Sequence, residues 1–300
     1  MNAALLLLVL ACPARAAEDK ALTRELQALT TAFHGTAGVY ARDLRSGRWA
    51  AVNADEEFPT ASMIKVPILV GVFDKIDKGE LSYNEKLVYR STRAYNDGDV
   101  LAAFKDSATI TTSKLVWLME SVSDNTAALW SQELAGGGPA INAWLAGHGF
   151  NHTRVNARTP DREEQHKKFG WGQTTPREMA ELLVMIFEGK AVSPAASEEM
   201  FRVLSRTFLD QESLSQLPPT AHAASKQGAV EHSRSEVLLV SSPKGDYVLS
   251  VITKDQSDVS WKHDNEGYEL LRKVSAAAWK HWGGNPRTAA PGSEKYWKQD

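Results

Sequence analysis

Segments with strand character lie near both ends of this chain of 300 residues, and a long helical stretch separates them. Residues 35–56 predict two strands joined by a Ser-Gly turn, and residues 235–255 predict a second hairpin that turns at Pro-Lys-Gly-Asp. Apolar residues recur at helical spacing in residues 21–33 and 266–282. We therefore predict an α/β (α+β) fold, in which one antiparallel sheet is flanked by terminal helices and carries an inserted all-helical lobe.

The length of the chain suits one large domain or two closely packed lobes. Within the inserted part, residues 111–135 and 174–189 have helical character. The expected organisation is a signal peptide at 1–16, a single folded domain at 17–282 with a sheet lobe at 17–58 and 223–282 and a helical lobe at 59–222, and a flexible tail at 283–300.

The first residues are typical of a secretory signal. The apolar run from Ala3 to Ala11 is too short to span a bilayer, and Ala14-Arg15-Ala16 follows it as a small-x-small cleavage site. We expect cleavage after Ala16 and a periplasmic or secreted protein with no transmembrane span. Cys12 is the only cysteine and lies inside this signal. Lipid anchoring at Cys12 is the alternative that this segment leaves open.

Charge and cysteine content exclude several classes of function. The formal net charge of -3 gives no basic footprint, so we expect no nucleic-acid partner. A mature chain without cysteine can form neither a disulfide nor a thiolate metal site. The eight histidines form no H-x-H-x-D cluster, so we expect neither a metal nor another cofactor.

A serine and a lysine share one helical turn in the apolar stretch "FPTASMIKVPIL". Positions i and i+3 of a helix lie on one face, so Ser62 and Lys65 would project into the same space. A neutral lysine could take the proton of the serine and make it a nucleophile. Taken alone, the pair is better explained by a helix cap and a lysine that extends to water.

Two further motifs follow in the chain. Ser123-Asp124-Asn125 opens an apolar helical run, and supplies a second hydroxyl and an amide, although these residue types also favour ordinary turns. Lys226-Gln227-Gly228 lies beside a predicted strand, where the glycine lets a substrate approach the strand edge. A basic edge strand is the ordinary alternative for the second motif.

The order S-x-x-K, S-D-N and K-[T]-G is the pattern of class A β-lactamases and penicillin-binding proteins. From about residue 21 to Trp282 the chain closely resembles class A serine β-lactamases, and "TTPREMA" and the final "KHW" belong to the same resemblance. The resemblance implies a β-lactamase/transpeptidase-like fold and a serine hydrolase that acts on β-lactams.

The resemblance also implies a role for each motif residue. Ser62 would be the acylated nucleophile, Lys65 its base, and Ser123 the donor of a proton to the lactam nitrogen. The implied substrate-binding residues are Asn125 for the substrate amide, Lys226, Gln227 and Gly228 for the carboxylate end, Ala229 with Ser62 for the oxyanion hole, and Arg234 as a carboxylate-binding arginine.

The chain departs from the family pattern in two places. Gln227 replaces the usual Thr or Ser of the third motif, which bears on substrate preference. The loop glutamate that activates the deacylating water is replaced by Thr159, and Glu163 stands four positions later, where an asparagine is usual. Either Glu163 has taken over as the base, or no base exists and the acyl-enzyme is long-lived. The ordinary explanation of the acidic residues there is a charged loop that faces solvent.

We therefore expect a class A-like β-lactamase that acts as a monomer on small β-lactams. The alternative is a D-Ala-D-Ala peptidase or penicillin-binding serine hydrolase with slow deacylation, whose partner would be a peptidoglycan stem peptide. The length of the loop and the "TTP" helix favour the first function, and the missing glutamate favours the second. Turnover of penicillins against turnover of D-Ala-D-Ala peptides separates the two functions.

Overall fold

The computed structural model describes residues 17–284, so the predicted signal and the predicted tail from residue 285 onward lie outside the described residues. The helices are α1 Lys20–Thr31, α2 Lys65–Asp77, α3 Thr112–Ser121, α4 Asn125–Leu134, α5 Gly137–Gly147, α6 Glu163–Phe169, α7 Pro176–Phe187, α8 Pro194–Leu204 and α9 Glu266–Ala278. The strands are β1 Thr36–Asp43, β2 Trp49–Val52, β3 Phe58–Pro59, β4 Lys86–Val88, β5 Thr109–Thr111, β6 Arg154–Val155, β7 Gly172–Thr174, β8 His222–Val230, β9 Ser233–Ser241 and β10 Tyr247–Lys254.

The two ends of the chain form one antiparallel sheet with the strand order β2-β1-β10-β9-β8. Its halves join where β1 pairs with β10, from Thr36 opposite Lys254 to Asp43 opposite Tyr247. Strand β8 lies at the edge of the sheet, so part of its backbone faces away from the other strands. The predicted fold class is confirmed, because strands from both ends meet in a single sheet that terminal helices cover.

The terminal helices α1 and α9 pack on each other and on one face of this sheet. Leu22 and Leu26 lie one turn apart on α1 and are fully buried, as are Val274 of α9 and Val39 of β1. The Asp19 carboxylate caps α1 by accepting a hydrogen bond from the backbone N–H of Leu22 at 3.1 Å. This layer anchors the sheet from the side opposite to the helical lobe.

Helix α2 runs through the centre of the helical lobe. Each residue from Lys65 to Phe73 is buried, which is the pattern of a helix surrounded by protein on every side. Helices α3, α4, α5 and α8 all contact α2, and α7 packs between the lobe and the sheet. Residues at the start of α2 are therefore fixed by the largest hydrophobic core of the molecule.

The predicted helical stretch 111–135 is divided into α3 and α4. The break falls at Ser123, whose φ of 58° lies in the left-handed region that non-glycine residues seldom adopt. At the other end of the domain, helical structure continues to Gly283, the first residue of the predicted tail. Within residues 17–284, no helix combines the length and the apolar character that crossing a bilayer would require.

Candidate active site

Ser62 lies on a single 3₁₀ turn, Ala61–Ile64, that connects β3 with α2. The preceding residue, Ala61, has a φ of 45°, which is an unfavourable backbone conformation for alanine. Ser62 is partly exposed, whereas Ala61, Met63 and Ile64 are buried. The strained turn therefore presents one hydroxyl to solvent from a rigid, buried segment.

Lys65, the first residue of α2, is completely buried and contacts the other motif residues. Its Nζ donates hydrogen bonds to Ser62 Oγ at 3.2 Å, Ser123 Oγ at 2.9 Å and Asn125 Oδ1 at 2.9 Å. Burial, reinforced by the nearby charge of Lys226, holds the pKa of Lys65 well below the usual value for lysine. A neutral amine at this position can accept the proton of Ser62.

The connection between α3 and α4 positions Ser123 and Asn125. The Asp124 carboxylate accepts hydrogen bonds from the backbone N–H groups of Ala127 at 2.7 Å and Leu101 at 2.9 Å. The Asp99 carboxylate accepts one from the backbone N–H of Asn125 at 3.1 Å. These bonds satisfy backbone donors at the start of α4 and hold the left-handed Ser123 in place.

Strand β8 supplies the third motif. Lys226 is 1% exposed, and its Nζ donates to Ser123 Oγ at 3.0 Å and to the carbonyl of Gln227 at 2.9 Å. Burial lowers the pKa of Lys226. Ser123 Oγ thus accepts hydrogen bonds from the Nζ atoms of both Lys65 and Lys226. The side chain of Gln227, the middle residue of the motif, is partly exposed.

Gly228 is required for the close approach of β8 to the turn that bears Ser62. A Cβ atom at Gly228 would lie 2.6 Å from the carbonyl oxygen of Thr60 and 2.8 Å from the backbone nitrogen of Ser62. Both distances are shorter than real Cβ atoms show, so only glycine fits. The next residue, Ala229, lines the same cavity as Ser62, at the unpaired edge of the sheet.

A cleft of about 960 Å³ opens over Ser62. Asn125 and Ala229 line it, together with an aromatic wall. In this wall the rings of Tyr95 and Trp171 meet edge to face, with their centroids 5.1 Å apart. The cleft can therefore hold an extended ligand that has polar groups near Ser62 and apolar groups beside the wall.

Glu163, which is predicted as the base, is not among the residues that line this cleft. Glu163 is the first residue of α6 and is exposed to solvent. The loop residues that line the cleft are Lys168–Trp171, at the far end of α6. A general base must lie within hydrogen-bonding reach of the reacting groups, so the role of Glu163 stays a prediction.

Thr159, at the position of the missing loop glutamate, also faces away from the cleft. Its Oγ1 donates to the carbonyl of Ala157 at 3.0 Å, and its side chain packs against α5, where a Cβ on Gly138 would lie 1.7 Å from Oγ1. Contacts of Arg162 join this loop to β7. Arg162 Nη2 donates to Asn156 Oδ1 at 2.9 Å and to the side-chain oxygen Oε1 of the β7 residue Gln173 at 2.6 Å.

Arg234 is likewise placed away from the cleft, in contrast to its prediction as a carboxylate-binding residue. It is completely buried, and its Nη2 donates to the carbonyl of Ser260 at 2.6 Å. Its guanidinium lies over the rings of Trp261 and Tyr268, 4.6 Å from each centroid. Arg234 therefore joins the β8–β9 turn to the segment before α9.

The alternation of side chains along β9 explains this placement. Ser235 points toward the site, where its Oγ donates to the carbonyl of Thr60 at 3.1 Å. Its neighbour Arg234 must then point to the opposite face of the sheet. A shift of one residue in the turn between β8 and β9 is enough to exchange the two faces.

Sequence reasoning missed one acidic residue of the site. Glu120, in the last turn of α3, is 1% exposed, and neither carboxylate oxygen has a hydrogen-bond partner among the described residues. A signal for it was present in the sequence. Glu120 follows Val116 by four positions, and both lie on the buried stripe of α3 together with Leu115 and Met119.

Comparison with known proteins agrees with this geometry. Residues 21–282 match the model of a family described as the β-lactamase enzyme family. Among curated proteins, β-lactamase VEB-1 of Pseudomonas aeruginosa is 22% identical over 283 residues, which cover 89% of this chain and 92% of that protein.

Two solved structures have the same fold. The acyl-enzyme complex of a PBP-A mutant with penicillin G superposes with a TM-score of 0.78 at 28% identity, and the match covers 88% of this chain and 97% of that chain. An ancestral class A β-lactamase (GNCA) superposes with a TM-score of 0.78 at 24% identity, covering 87% of this chain and 99% of that chain.

Proposed function

The chain belongs to the β-lactamase enzyme family, and from this premise we propose that it is a serine hydrolase that opens β-lactams by acylation of Ser62. One observation carries the proposal. The buried Lys65 Nζ lies within hydrogen-bonding distance of both hydroxyls that the reaction needs, those of Ser62 and Ser123. A lysine with only a structural role would have no reason to be buried with its Nζ directed at two hydroxyl groups, and this burial holds its pKa well below the usual value.

Acylation follows from this arrangement. Neutral Lys65 takes the proton of Ser62, and Ser62 Oγ attacks the lactam carbonyl carbon. The negative charge that develops on the carbonyl oxygen is stabilised by the backbone N–H groups of Ser62 and Ala229. When the C–N bond breaks, Ser123 gives its proton to the lactam nitrogen and recovers one from the Lys65 side.

The remaining motif residues bind the substrate. Asn125 uses Oδ1 for Lys65, which leaves its amide N–H₂ to donate to the carbonyl of a substrate side chain. Lys226 and the Gln227 amide are the donors closest to the expected carboxylate end. With Arg234 placed behind the sheet, the substrate carboxylate depends on these two residues.

A second candidate function is supported by the loop. In the described part of the chain, the loop residues that line the cleft are Lys168, Phe169, Gly170 and Trp171, and none of them is a carboxylate. A cleft with complete acylation groups and without a loop base fits a D-Ala-D-Ala peptidase or penicillin-binding serine hydrolase that deacylates slowly. The stem peptide of peptidoglycan would then be its natural partner.

Intact-protein mass spectrometry after mixing with penicillin G tests both functions. A mass gain that is absent in Ser62→Ala establishes acylation, and no gain in the wild-type protein would refute it. A gain that decays while hydrolysed drug accumulates identifies a β-lactamase, whereas a gain that persists, with cleavage of D-Ala-D-Ala peptides, identifies the second function.

The same experiment tests Glu163. Because Glu163 is exposed, Glu163→Gln is expected to change the decay rate of the acyl-enzyme less than about twofold. A strong slowing would restore Glu163 as the base.

We also propose that the protein acts outside the cytoplasm. The support is the apolar run and the Ala14-Arg15-Ala16 site at the start of the sequence. The mass of the protein purified from its native source tests the signal. A mature chain beginning at Ala17 supports export after cleavage, and a chain that begins at a lipid-modified Cys12 supports anchoring instead.

A further inference from the structure

Glu120 is a buried acid that the acylation steps above do not use. It is 1% exposed, and both of its carboxylate oxygens lack a hydrogen-bond partner in the part of the chain that the structure describes. Burial of a carboxylate without hydrogen bonds is unfavourable, so this placement requires some compensation. Apolar residues are the ordinary occupants of this helical stripe, and a leucine would fill the same position without that cost.

The compensation comes from the two lysines of the site. Lys226 and Lys65 are the charged groups that act on Glu120 in the described residues. Glu120 in turn raises the pKa of both lysines and so opposes the lowering that burial causes. Lys65 and Lys226 converge on Ser123 Oγ, which accepts hydrogen bonds from both amines. Glu120 is buried three residues before Ser123, in the last turn of α3.

We propose that Glu120 is a positioning residue that supplies the counter-charge for Lys65 and Lys226 and thereby sets how they share protons. The proposal rests on the proposed function, because it concerns the base and the carboxylate-binding lysine of that reaction. The cleft-lining segment of the loop offers these lysines no carboxylate, whereas Glu120 is a buried carboxyl in the last turn of α3.

The other charged groups around α3 are already engaged. On α8, Glu199 accepts hydrogen bonds from Tyr83 and Arg202, both at 2.7 Å. On α4, Glu133 pairs with Arg93 at 2.6 Å.

Two acids near the start of α4 also raise the pKa of Lys65. These acids are Asp124 and Asp99, and both already accept hydrogen bonds from backbone N–H groups. Glu236 of β9 acts on Lys226 and accepts from Ser225 Oγ at 2.7 Å. Glu120 is the acid in this set whose oxygens have no such partner among the described residues.

The direction of the effect follows from the charges. An ionised Glu120 favours the protonated forms of Lys65 and Lys226. Burial raises the pKa of Glu120 to about 7, so the carboxylate acts as a counter-charge from neutral pH upward. In that range its removal makes Lys65 neutral at lower pH, so Ser62 is deprotonated more readily. The same removal weakens the charge on Lys226, so binding of a substrate carboxylate becomes weaker.

The test is the second-order rate of acylation by penicillin G as a function of pH in wild type and in Glu120→Gln. We expect the rising limb of the profile to move to lower pH by about one unit. The variant is then faster than wild type on the rising limb above pH 7, where Glu120 of the wild type is ionised. Damage to the fold cannot produce a faster enzyme. The KM or apparent Kd of the variant for penicillin rises several-fold. Superimposable profiles with equal KM values would overturn the proposal.

Two further variants sharpen the test. Ser121→Ala changes the adjacent buried side chain of the same helical turn and should leave the profile where it is. Glu120→Leu suits the apolar stripe of α3 and replaces Glu120→Gln if that variant folds poorly. In Glu120→Leu the rising limb of the acylation profile should move to lower pH by the same amount. A shift in Ser121→Ala equal to that in Glu120→Gln would contradict a role specific to the carboxylate.

A measurement without substrate separates this proposal from the proposed function. ¹⁵N NMR of the lysine side chains in the Ser62→Ala background follows the titration of Lys65 directly. A lower titration midpoint after Glu120→Gln supports the counter-charge even if no penicillin reacts with the wild-type protein. An unchanged midpoint refutes the counter-charge even if acylation is fast.

Discussion

At the scale of single residues, the site depends on backbone conformations that few residue types tolerate. Ala61 and Ser123 both have positive φ values, of 45° and 58°, and each precedes or carries a reacting hydroxyl. Such conformations cost about 1–3 kcal/mol each and persist only where surrounding contacts impose them. Here the hydrogen bonds of Asp124 and Asp99 and the burial of α2 supply those contacts.

Gly228 offers the sharpest residue-scale prediction. In Gly228→Ala the new Cβ meets the backbone of Thr60 and Ser62 at 2.6 and 2.8 Å, so β8 must move away from the nucleophile. Because both oxyanion donors would separate, we expect acylation to fall by about 10²-fold or more. Stability should fall by about 1–3 kcal/mol, as for other overpacked sites. Stopped-flow acylation and urea unfolding measure the two effects.

Gly147→Ala is the matched control for that substitution. Gly147 lies at the end of α5, and a Cβ there has no atom within 4 Å. Its acylation rate should equal that of wild type. An unimpaired Gly228→Ala would show that β8 can shift without loss of the oxyanion hole, and would remove the argument for close packing at this position.

At the scale of elements, the three motifs were predictable and the loop was not. Ser62 and Lys65, Ser123, and Lys226 lie on or beside regular elements, and the burial of α2 and the pairing of β8 bring them together. Regular elements with a clear apolar pattern fix where their side chains point, so their sequence contains most of the necessary information.

Glu163 and Arg234 show why the rest could not be predicted. The direction of Glu163 depends on where α6 begins within an irregular loop, which charge pattern alone does not determine. The face occupied by Arg234 depends on the length of a turn, since a change of one residue reverses every side chain of the strand. Glu120 was visible as a charge in an apolar stripe, but its meaning depends on lysines from α2 and β8.

The loop before α7 gives the element-scale prediction. Arg162 bridges Asn156 Oδ1 and Gln173 Oε1, and both of these partner residues are buried. In Arg162→Met these oxygens lose their donor, and an unsatisfied buried acceptor costs about 1–3 kcal/mol. We expect faster amide hydrogen exchange across residues 156–173, with little change in α1 or α9.

Arg158→Met is the matched control, at an exposed position of the same loop. Its amide hydrogens should exchange at the rates of the wild-type protein. Equal exchange in both variants would show that the loop is closed by other contacts.

At the scale of the whole molecule, the fold has two hydrophobic cores and places its site where the edge of the sheet meets the helical lobe. One core lies between the sheet and α1 and α9, and the other surrounds α2. The cleft lies where the edge strand β8 meets the start of α2, so lysines can be buried by the larger core and still reach a surface hydroxyl. Such burial lowers the stability of the folded chain while it prepares the amines for proton transfer.

The pH dependence of unfolding measures this cost for Lys65. Its pKa is lowered in the folded protein, so between that value and the ordinary lysine value the unfolded chain binds a proton that the folded chain does not. The free energy of unfolding must then rise with pH in this window, by up to about 1.4 kcal/mol per unit for each such group. Lys226 acts in the same direction.

In Lys65→Met one such proton is missing, so the slope of unfolding free energy against pH should be smaller than in wild type throughout this window. Urea unfolding at several weakly alkaline pH values measures both slopes. The range should stay below about pH 10, where tyrosines begin to titrate. Burial raises the pKa of Tyr40, which opposes the trend only at higher pH.

The substitution also removes the hydrogen bonds of Lys65 to Ser123 and Asn125. Their loss lowers the free energy of unfolding by the same amount at each pH and does not change its slope. Parallel curves for the two proteins would mean that Lys65 stays charged in the folded state, and Ser62 would then need a different base.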